Sequence, residues 1–290
     1  MSGGVWSLWV DCRLCGSRDL RVLFTATRSA RQVVRCRGCG LVFYNPQPSA
    51  AQAAALYSKD YFESEFPAGE AEAQLRLAHR RLARIEREIG VGSLVDVGCG
   101  RGRFLAAALQ RGWKAIGLDV SPAAATMARS AAGAQVFEGE LTDERPPGLE
   151  PVDVLTLWDV FEHLRDPVAA LAAAPRWLKP GGLLVVQTQN VNSIAASWMG
   201  SRWEQFVEFH LCHFSSRTLR RALERAGFHA VRIEDVEAFP DPGPPDAAPD
   251  GGRGLRGTLR RLRDGLFVLA GYDRFNVMVA TGRTVAEPPP

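Results

Sequence analysis

No apolar run in the 290 residues approaches the roughly 20 that a membrane-spanning helix needs. The opening residues, MSGGVWSLWVDC, lack a basic start followed by an apolar core, so no secretory signal is read there and a cytoplasmic protein is expected. Net charge is nearly absent as well. Lys and Arg number 35 against 32 Asp and Glu, and a formal +3 is too small by itself to imply a polyanionic partner. Cysteine is sparse: six would form a disulfide framework only in a small secreted chain. What remains is an ordinary apolar fraction of 46% and enough length for one full α/β domain with a small appendage.

Four of the six cysteines are organised by spacing. CRLCG and CRGCG place Cys12/Cys15 and Cys36/Cys39 on two near-identical turns. Each turn can aim two thiolates at one cation, with the following glycine relieving backbone crowding. Four thiolates complete a tetrahedral zinc site, and with all four positions closed the expected role is structural. Redox pairs and unligated thiols are the competing readings of that spacing. Positive charge also collects here: Arg13, Arg18, Arg21, Arg28, Arg31, Arg35 and Arg37 share residues 12–37 with one acid, Asp19. A second basic run extends from Arg253 to Arg263. Both read first as solvated faces. Cys99 and Cys212 read as packing residues.

Along the chain, residues 1–45 form the zinc-ribbon-like module, 46–89 a helical connector and 90–290 the main domain. Pro46 and Pro48 precede a short helix ending near Tyr57. Leu75, Ala78, Leu82, Ile85 and Ile89 then recur at steps of three and four, the period of an amphipathic helix. From Leu94 strands and helices alternate. LVDVG is followed by a helix through Phe104, Leu105, Ala108 and Leu109. AIGLDV leads to a helix with Ser121 as cap and Pro122 in its first turn. AQVFEG and VDVLTLW are further strands, a helix after Pro167 ends at KPGG, and LLVVQTQ follows. A helix from Ser215 or Ser216 closes at Gly227, ahead of HAVRIEDV. Residues 240–252 are a Pro/Gly-rich loop, and a basic helix and the strand RFNVMVATG finish the domain. This alternation predicts a doubly wound, Rossmann-like α/β sheet.

Such sheets bind ligands at the carboxyl ends of their strands. The first strand of the domain ends in D-V-G-C-G-R-G, with Asp96, Gly98, Gly100 and Gly102. The dinucleotide fingerprint is G-x-G-x-x-G, and a phosphate loop ends in G-K-[ST]. Neither is present. A carboxylate at this point repels a pyrophosphate but suits a cationic sulfonium ligand carrying an amino group. A second acid, Asp119, ends the next strand, where it can accept hydrogen bonds from ribose hydroxyls.

On these residues the chain resembles the class I S-adenosylmethionine-dependent methyltransferases over roughly residues 90–285, and VDVGCGRG resembles the family's cofactor turn nearly letter for letter. The resemblance implies S-adenosylmethionine as cofactor. It implies Asp96, Gly98, Gly100 and Gly102 at the methionine end, Asp119 at the ribose, and Glu140 and Leu141 near the adenine, with Trp158 also in the cofactor set. Within the family the chain is most similar to bacterial enzymes with an N-terminal C-x-x-C…C-x-x-C zinc module, on the phrases WDVFEHLRDP, LKPGG and HFSSRTLRRALERAGF. Many of these act on sugars or natural-product intermediates. One departure is QTQN, where relatives often show T-P-N, so that Gln189 replaces a proline.

Methyl transfer requires alignment of nucleophile, methyl and sulfur, and often removal of a proton. WDVFEHL lies at the end of the fourth strand, where a base belongs. If DVFEHL starts a helix, Asp159, Glu162 and His163 share one face. His163 is then a base oriented by Glu162; alternatively the trio with a later His holds a divalent metal, as E-x-x-E-H does in some relatives, or merely satisfies a helix start. RWEQFVEFHLCHF offers His210 and His213 as further substrate-facing bases among aromatics suited to an organic-substrate pocket, although a helix packing that aromatic stripe into the core serves the Phe residues equally. Tyr57 and Tyr61 can fold over the site or staple the module to the domain. The favoured expectation is O- or C-methylation of a small-molecule, sugar or natural-product substrate. Alternatives are an RNA methyltransferase docking through the basic module, which has only Phe24 between the cysteine pairs for stacking, and a non-catalytic protein retaining the fold.

Overall fold

The computed structural model describes residues 6–56, 71–236, 272, 273 and 275–286. Two sheets organise them. The larger has seven strands: β4 (Ser93–Val97), β5 (Lys114–Asp119), β6 (Gln135–Glu138), β7 (Val152–Trp158), β8 (Leu178–Gln189), β10 (His229–Val236) and β11 (Val277–Arg283). Their spatial order is β10-β11-β8-β7-β4-β5-β6. All neighbours are parallel except β11, which runs antiparallel to both β8 and β10. Strand order reverses between β4 and β7, which opens a ligand crevice at their carboxyl ends.

Central strands read as continuous apolar runs because both faces are covered. Leu94, Val95, Val154, Leu155, Leu184 and Val185 are all buried. On one face lie α2 (Ala71–Ile89), α3 (Arg103–Gln110) and α4 (Pro122–Ala132). The three-four apolar spacing of α2 is realised: Ala78, Leu82 and Ile85 are buried against Phe104, Leu105 and Trp113. Glu86 latches that helix to the sheet, accepting from Trp113 Nε1 at 3.0 Å and from Arg111 Nε at 2.7 Å. Ser121 caps α4, with Pro122 in the first turn. α5 (Pro167–Ala173) and α7 (Ser216–Arg225), separated in the chain by the short α6 (Ile194–Met199), pack in the other cluster, with Leu171, Leu219 and Leu223 buried beside Phe161 and Trp177. Ser215 caps α7 in a capping box with Thr218.

The smaller sheet, β1 (Leu20–Thr25), β2 (Gln32–Cys36), β3 (Val42–Tyr44) and β9 (Cys212–His213), takes its last strand from far along the chain. β9 pairs antiparallel with β3, Val42 opposite His213 and Phe43 opposite Cys212. Arg13 meets Asp166 at 3.4 Å and Tyr44 N donates to Leu211 O at 3.0 Å. Cys12, Leu14 and Phe43 share one apolar cluster with Val97, Phe161 and Phe214. The cysteine-bearing sheet is therefore built onto the main one.

Three local expectations are corrected. The helix after Pro167 stops at Ala173 and a short turn, and Leu178–Gly182 already belongs to β8, because Pro180 and two glycines suit an extended chain better than a helix. DVFEHL makes only a 3-10 turn, Phe161–His163, since Asp159 has φ +56 and Leu164 is extended. Residues 203–214 are turns followed by β9 rather than a helix. The short helix α1 spans Ala50–Leu56. Tyr57, Tyr61, the loop at 240–252 and the basic run Arg253–Arg263 lie outside the described residues. Among the described residues no helix is long and apolar enough to cross a membrane.

Candidate active site

The glycine turn joins β4 to α3 at the reversal of strand order. Gly98, Gly100 and Gly102 have φ of +67, +51 and +75, a region that side chains resist. Their surroundings differ. A Cβ on Gly98 would run into Val160 Cγ2, and one on Gly102 would lie 2.9 Å from Ala128 Cα, whereas one on Gly100 meets nothing within 4 Å. The first and third glycines thus serve packing, and the middle one faces open space where a ligand can approach the backbone. Asp119 shapes that opening: its carboxylate accepts from Gly100 N and Ser121 N, both at 2.9 Å. Burial pushes its pKa up, and those two backbone donors oppose the rise. Asp96 is buried and accepts from Thr156 Oγ1 at 2.7 Å. Burial pushes it up to about 7, against the pull of Thr156 and of the Arg81 charge.

Arg81 reaches this place from α2. Its guanidinium lies 4.2 Å from the Trp158 ring centroid and donates to Asp159 Oδ2 at 3.3 Å. Burial lowers its pKa, while Asp159 and Asp96 raise it. Asp159 also accepts from Gln187 Nε2, at 2.9 and 2.8 Å to its two oxygens, and its backbone N donates to Gln187 O at 3.2 Å. These bonds hold Asp159 in the left-handed conformation, which Asp tolerates better than most residues.

Beyond Asp159 the 3-10 turn presents a second polar cluster. Glu162 is 0% exposed and accepts from Thr188 Oγ1 at 2.8 Å and from Gln189 Nε2. Burial and then the Asp159 charge push it up to about 8. His163 Nε2 lies 3.9 Å from Glu162 Oε1, and the ring meets His210 edge-on with centroids 4.8 Å apart. His210 Nδ1 is 2.8 Å from Gln205 O. Burial holds His210 down at about 4, and burial followed by the proximity of His210 holds His163 well below its ordinary value. Both imidazoles are neutral near pH 7, the form that accepts a proton.

Glu162, His163 and His210 offer one ligand atom each within 4.8 Å of one another. Asp159 stands beside them, although the helical face expected to align it with Glu162 and His163 does not form. His213 does not join this group. Its ring is 1% exposed, boxed by Tyr44, Trp203 and Phe206 at centroid distances of 5.4, 6.1 and 4.6 Å. Both of its nitrogens lack a hydrogen-bond partner among the described residues. Glu140 is exposed and Leu141 is buried against the sheet, just past β6. Cys99 and Cys212 are buried in apolar surroundings.

The four N-terminal cysteines converge. Cys12 and Cys39 Sγ are 3.4 Å apart, as are Cys15 and Cys36, and all four lie within 4.8 Å of one another. Tetrahedral zinc with Zn–S of about 2.3 Å separates its sulfurs by roughly 3.8 Å, so the cluster fits a zinc module.

Arg81 and Thr156 stand in no motif, and Gln187 and Thr188 lie inside QTQN, where the sequence assigns a consequence only to Gln189. Arg81 flanks the apolar stripe of α2, and only the packing of that helix over β7 gives it a site. Gln189, noted as a departure from the family pattern, is bonded to Glu162 where proline could not donate.

A family model described as a methyltransferase domain matches residues 69–233, more than half of the chain. Curated relatives include the ubiquinone biosynthesis O-methyltransferases of Alkalilimnicola ehrlichii, 35% identical over 107 residues (34% of this chain, 42% of the relative), and of Cereibacter sphaeroides, 34% identical over 116 residues (38% and 47%). The chain spans less than half the length of these relatives. Among solved structures, an S-adenosylmethionine-dependent methyltransferase from Archaeoglobus fulgidus is similar in fold with TM-score 0.53 and 19% identity, over 74% of this chain and 97% of that one. Phosphoethanolamine N-methyltransferase 2 of Haemonchus contortus, solved with S-adenosyl-L-methionine, aligns with TM-score 0.50 and 15% identity over 84% and 63%. With the acid–glycine turn at the sheet's switch point and this family match over more than half of its length, the chain belongs to the methyltransferase-domain family.

Proposed function

We propose that the enzyme methylates an oxygen or carbon of a small organic acceptor, of sugar or natural-product type, with Glu162, His163 and His210 as its acceptor-side base cluster. The observation that carries this reading is two neutral imidazoles and a buried carboxyl gathered just past the β7 end, on the turn that packs Val160 against Gly98. The name of the curated relatives, an O-methyltransferase of ubiquinone biosynthesis, favours an oxygen acceptor.

The residues present fit the cofactor. The open space at Gly100, the buried carboxyls of Asp96 and Asp119 and the Arg81 cation suit a ligand carrying an amino group, a ribose and a carboxylate. In this reading Asp96, Gly98, Gly100 and Gly102 surround the methionine end with Trp158 beside it. Asp119 takes the ribose, and Glu140 and Leu141 border the adenine. S-adenosylmethionine, when bound, supplies a methyl group already activated by its sulfonium. The chain's own groups then handle the acceptor. A proton taken at His163 Nε2 sits 3.9 Å from Glu162 Oε1, a carboxyl whose position orients the ring. The Arg81–Asp159–Gln187 bonds fix the turn that carries this pair. Zinc on the four cysteines is a structural ion in this reading. Cytoplasmic location accords with it.

The same 4.8 Å clustering favours a second reading, in which Glu162, His163 and His210 hold a divalent cation. Metal analysis separates the two: an ion beyond the one on the cysteines, lost in His210→Gln, supports the cation. The reaction itself is tested with methyl-labelled S-adenosylmethionine and a host extract separated into RNA and small-molecule fractions. Label is expected in the small-molecule fraction and is lost in His163→Gln; label in RNA overturns the proposal.

A further inference from the structure

Outside the methyl-transfer site the described surface carries a cleft of about 380 Å³ at the second cysteine turn, lined by Arg21, Arg35, Arg37 and Arg217 and by the turn itself, Cys36 and Cys39 included. We propose that this cleft binds the phosphate or diphosphate group of a small ligand.

Three observations support it. Arg21 and Arg35 stand directly opposite each other across β1 and β2, both exposed. Like charges facing across a strand pair destabilise it unless an anion lies between them. Arg217, in the first turn of α7, brings a third guanidinium from the main domain. Among the described residues none of these three has an ion-pair partner, and Arg37 is paired only with the exposed Asp19 at 3.3 Å. Guanidinium forks match phosphate oxygens bidentately, and several converging on one spot are the usual device for holding that group. Gly40, at φ +88, has nothing within 4 Å of a Cβ position, so the cleft is open on that side, while its N–H donates to Cys36 O at 2.9 Å.

The charge is local rather than a stripe. Elsewhere on the module Arg13 is tied to Asp166, Arg18 to Asp11 and Arg31 to Glu208, which among the described residues leaves Arg28 as the one further arginine without an ion pair. A polynucleotide would need a continuous basic track, whereas one phosphate group needs only the cleft. A volume of about 380 Å³ also lies within the range of small-molecule sites. The proposal does not depend on which acceptor is methylated, because it concerns binding and not methyl transfer.

The test uses the full-length, metal-loaded protein and inorganic pyrophosphate, titrated by calorimetry at fixed ionic strength. One saturable site per chain is expected. Arg35→Gln and Arg217→Gln should each weaken it about tenfold, the worth of one charge-assisted hydrogen bond. Arg18→Gln should leave it unchanged, as should all three variants the zinc content and the affinity for S-adenosylhomocysteine. No saturable binding overturns the proposal, as does equal weakening by Arg18→Gln, which marks diffuse screening. Loss of zinc in Arg35→Gln without any pyrophosphate site in the parent protein shows that the arginines only offset the thiolate charge. Tighter binding of a single-stranded RNA, weakened equally by Arg18→Gln, replaces the cleft with a macromolecular surface.

Discussion

The guanidinium of Arg81 lies over the indole of Trp158 at 4.2 Å, so a helix N-terminal to the cofactor turn helps define the end of the central strand β7. Replacing Arg81 by Met keeps much of the stem's packing but removes the cation beside Asp96 and Asp159. Affinity for S-adenosylhomocysteine, measured by calorimetry, is expected to fall by about 1.5–3 kcal/mol, the worth of a hydrogen bond to a charged group. Unchanged affinity would remove Arg81 from the cofactor set.

The glycine turn yields a paired prediction. Gly98→Ala forces a Cβ into Val160 and should lower the melting temperature of the ligand-free protein together with cofactor binding. Gly100→Ala has room and costs only the left-handed strain, about 1 kcal/mol. It should fold with a small loss of stability yet lose most of its cofactor affinity. Unchanged cofactor affinity in Gly100→Ala would show that the open space at Gly100 is not a ligand's.

Asp119→Ala should weaken cofactor binding by about 1–3 kcal/mol. Because Asp119 also receives Gly100 N and Ser121 N, a modest drop in thermal stability is expected alongside it. An affinity that does not move would sink the ribose assignment.

Stability of the ligand-free protein should fall as pH rises above about 6.5. Glu162 and Asp96 are pushed from ordinary values of 4.5 and 3.8 up to about 8 and about 7. Between those limits the folded state binds more protons than the unfolded one, so each rise in pH removes stability. His163 and His210 are pushed down, which makes stability rise with pH only up to their ordinary 6.5. Above that pH the carboxyls are opposed by Cys36, lowered to about 7 in the metal-free module, so the zinc-loaded protein is the one to measure. Melting temperatures between pH 6.5 and 8.5 should decline, and Glu162→Gln should shrink the decline; a level parent curve contradicts a protonated Glu162.

Zinc should be found at one per chain and should resist mild chelation. Cys36→Ser should lower thermal stability and solubility before it lowers turnover of the folded fraction. Full stability without metal would refute the structural role.

The main sheet was legible because its signals are local: apolar runs of strand length, Ser and Pro at helix starts, glycine at helix ends. The cysteine turns and the acid–glycine turn were legible for the same reason, each carrying its chemistry within a few residues. The clustering of Glu162, His163 and His210 was not. His163 and His210 meet across 47 positions of sequence, and His213, an equal candidate by spacing, is diverted into an aromatic box by the pairing of β9 with β3. Helical periodicity also misled at DVFEHL, where the Arg81 and Gln187 bonds hold Asp159 at positive φ.

The β3–β9 pairing has a consequence for recombination within the family. A crossover placed after residue 45 would unite a donor's cysteine sheet with a recipient's Cys212–His213 strand. The inherited edge would then face a partner of foreign register, two residues from His210. Functional chimeras should therefore be recovered chiefly when both segments descend from the same parent, so the sequence-distant halves of this sheet are expected to travel as one unit of inheritance.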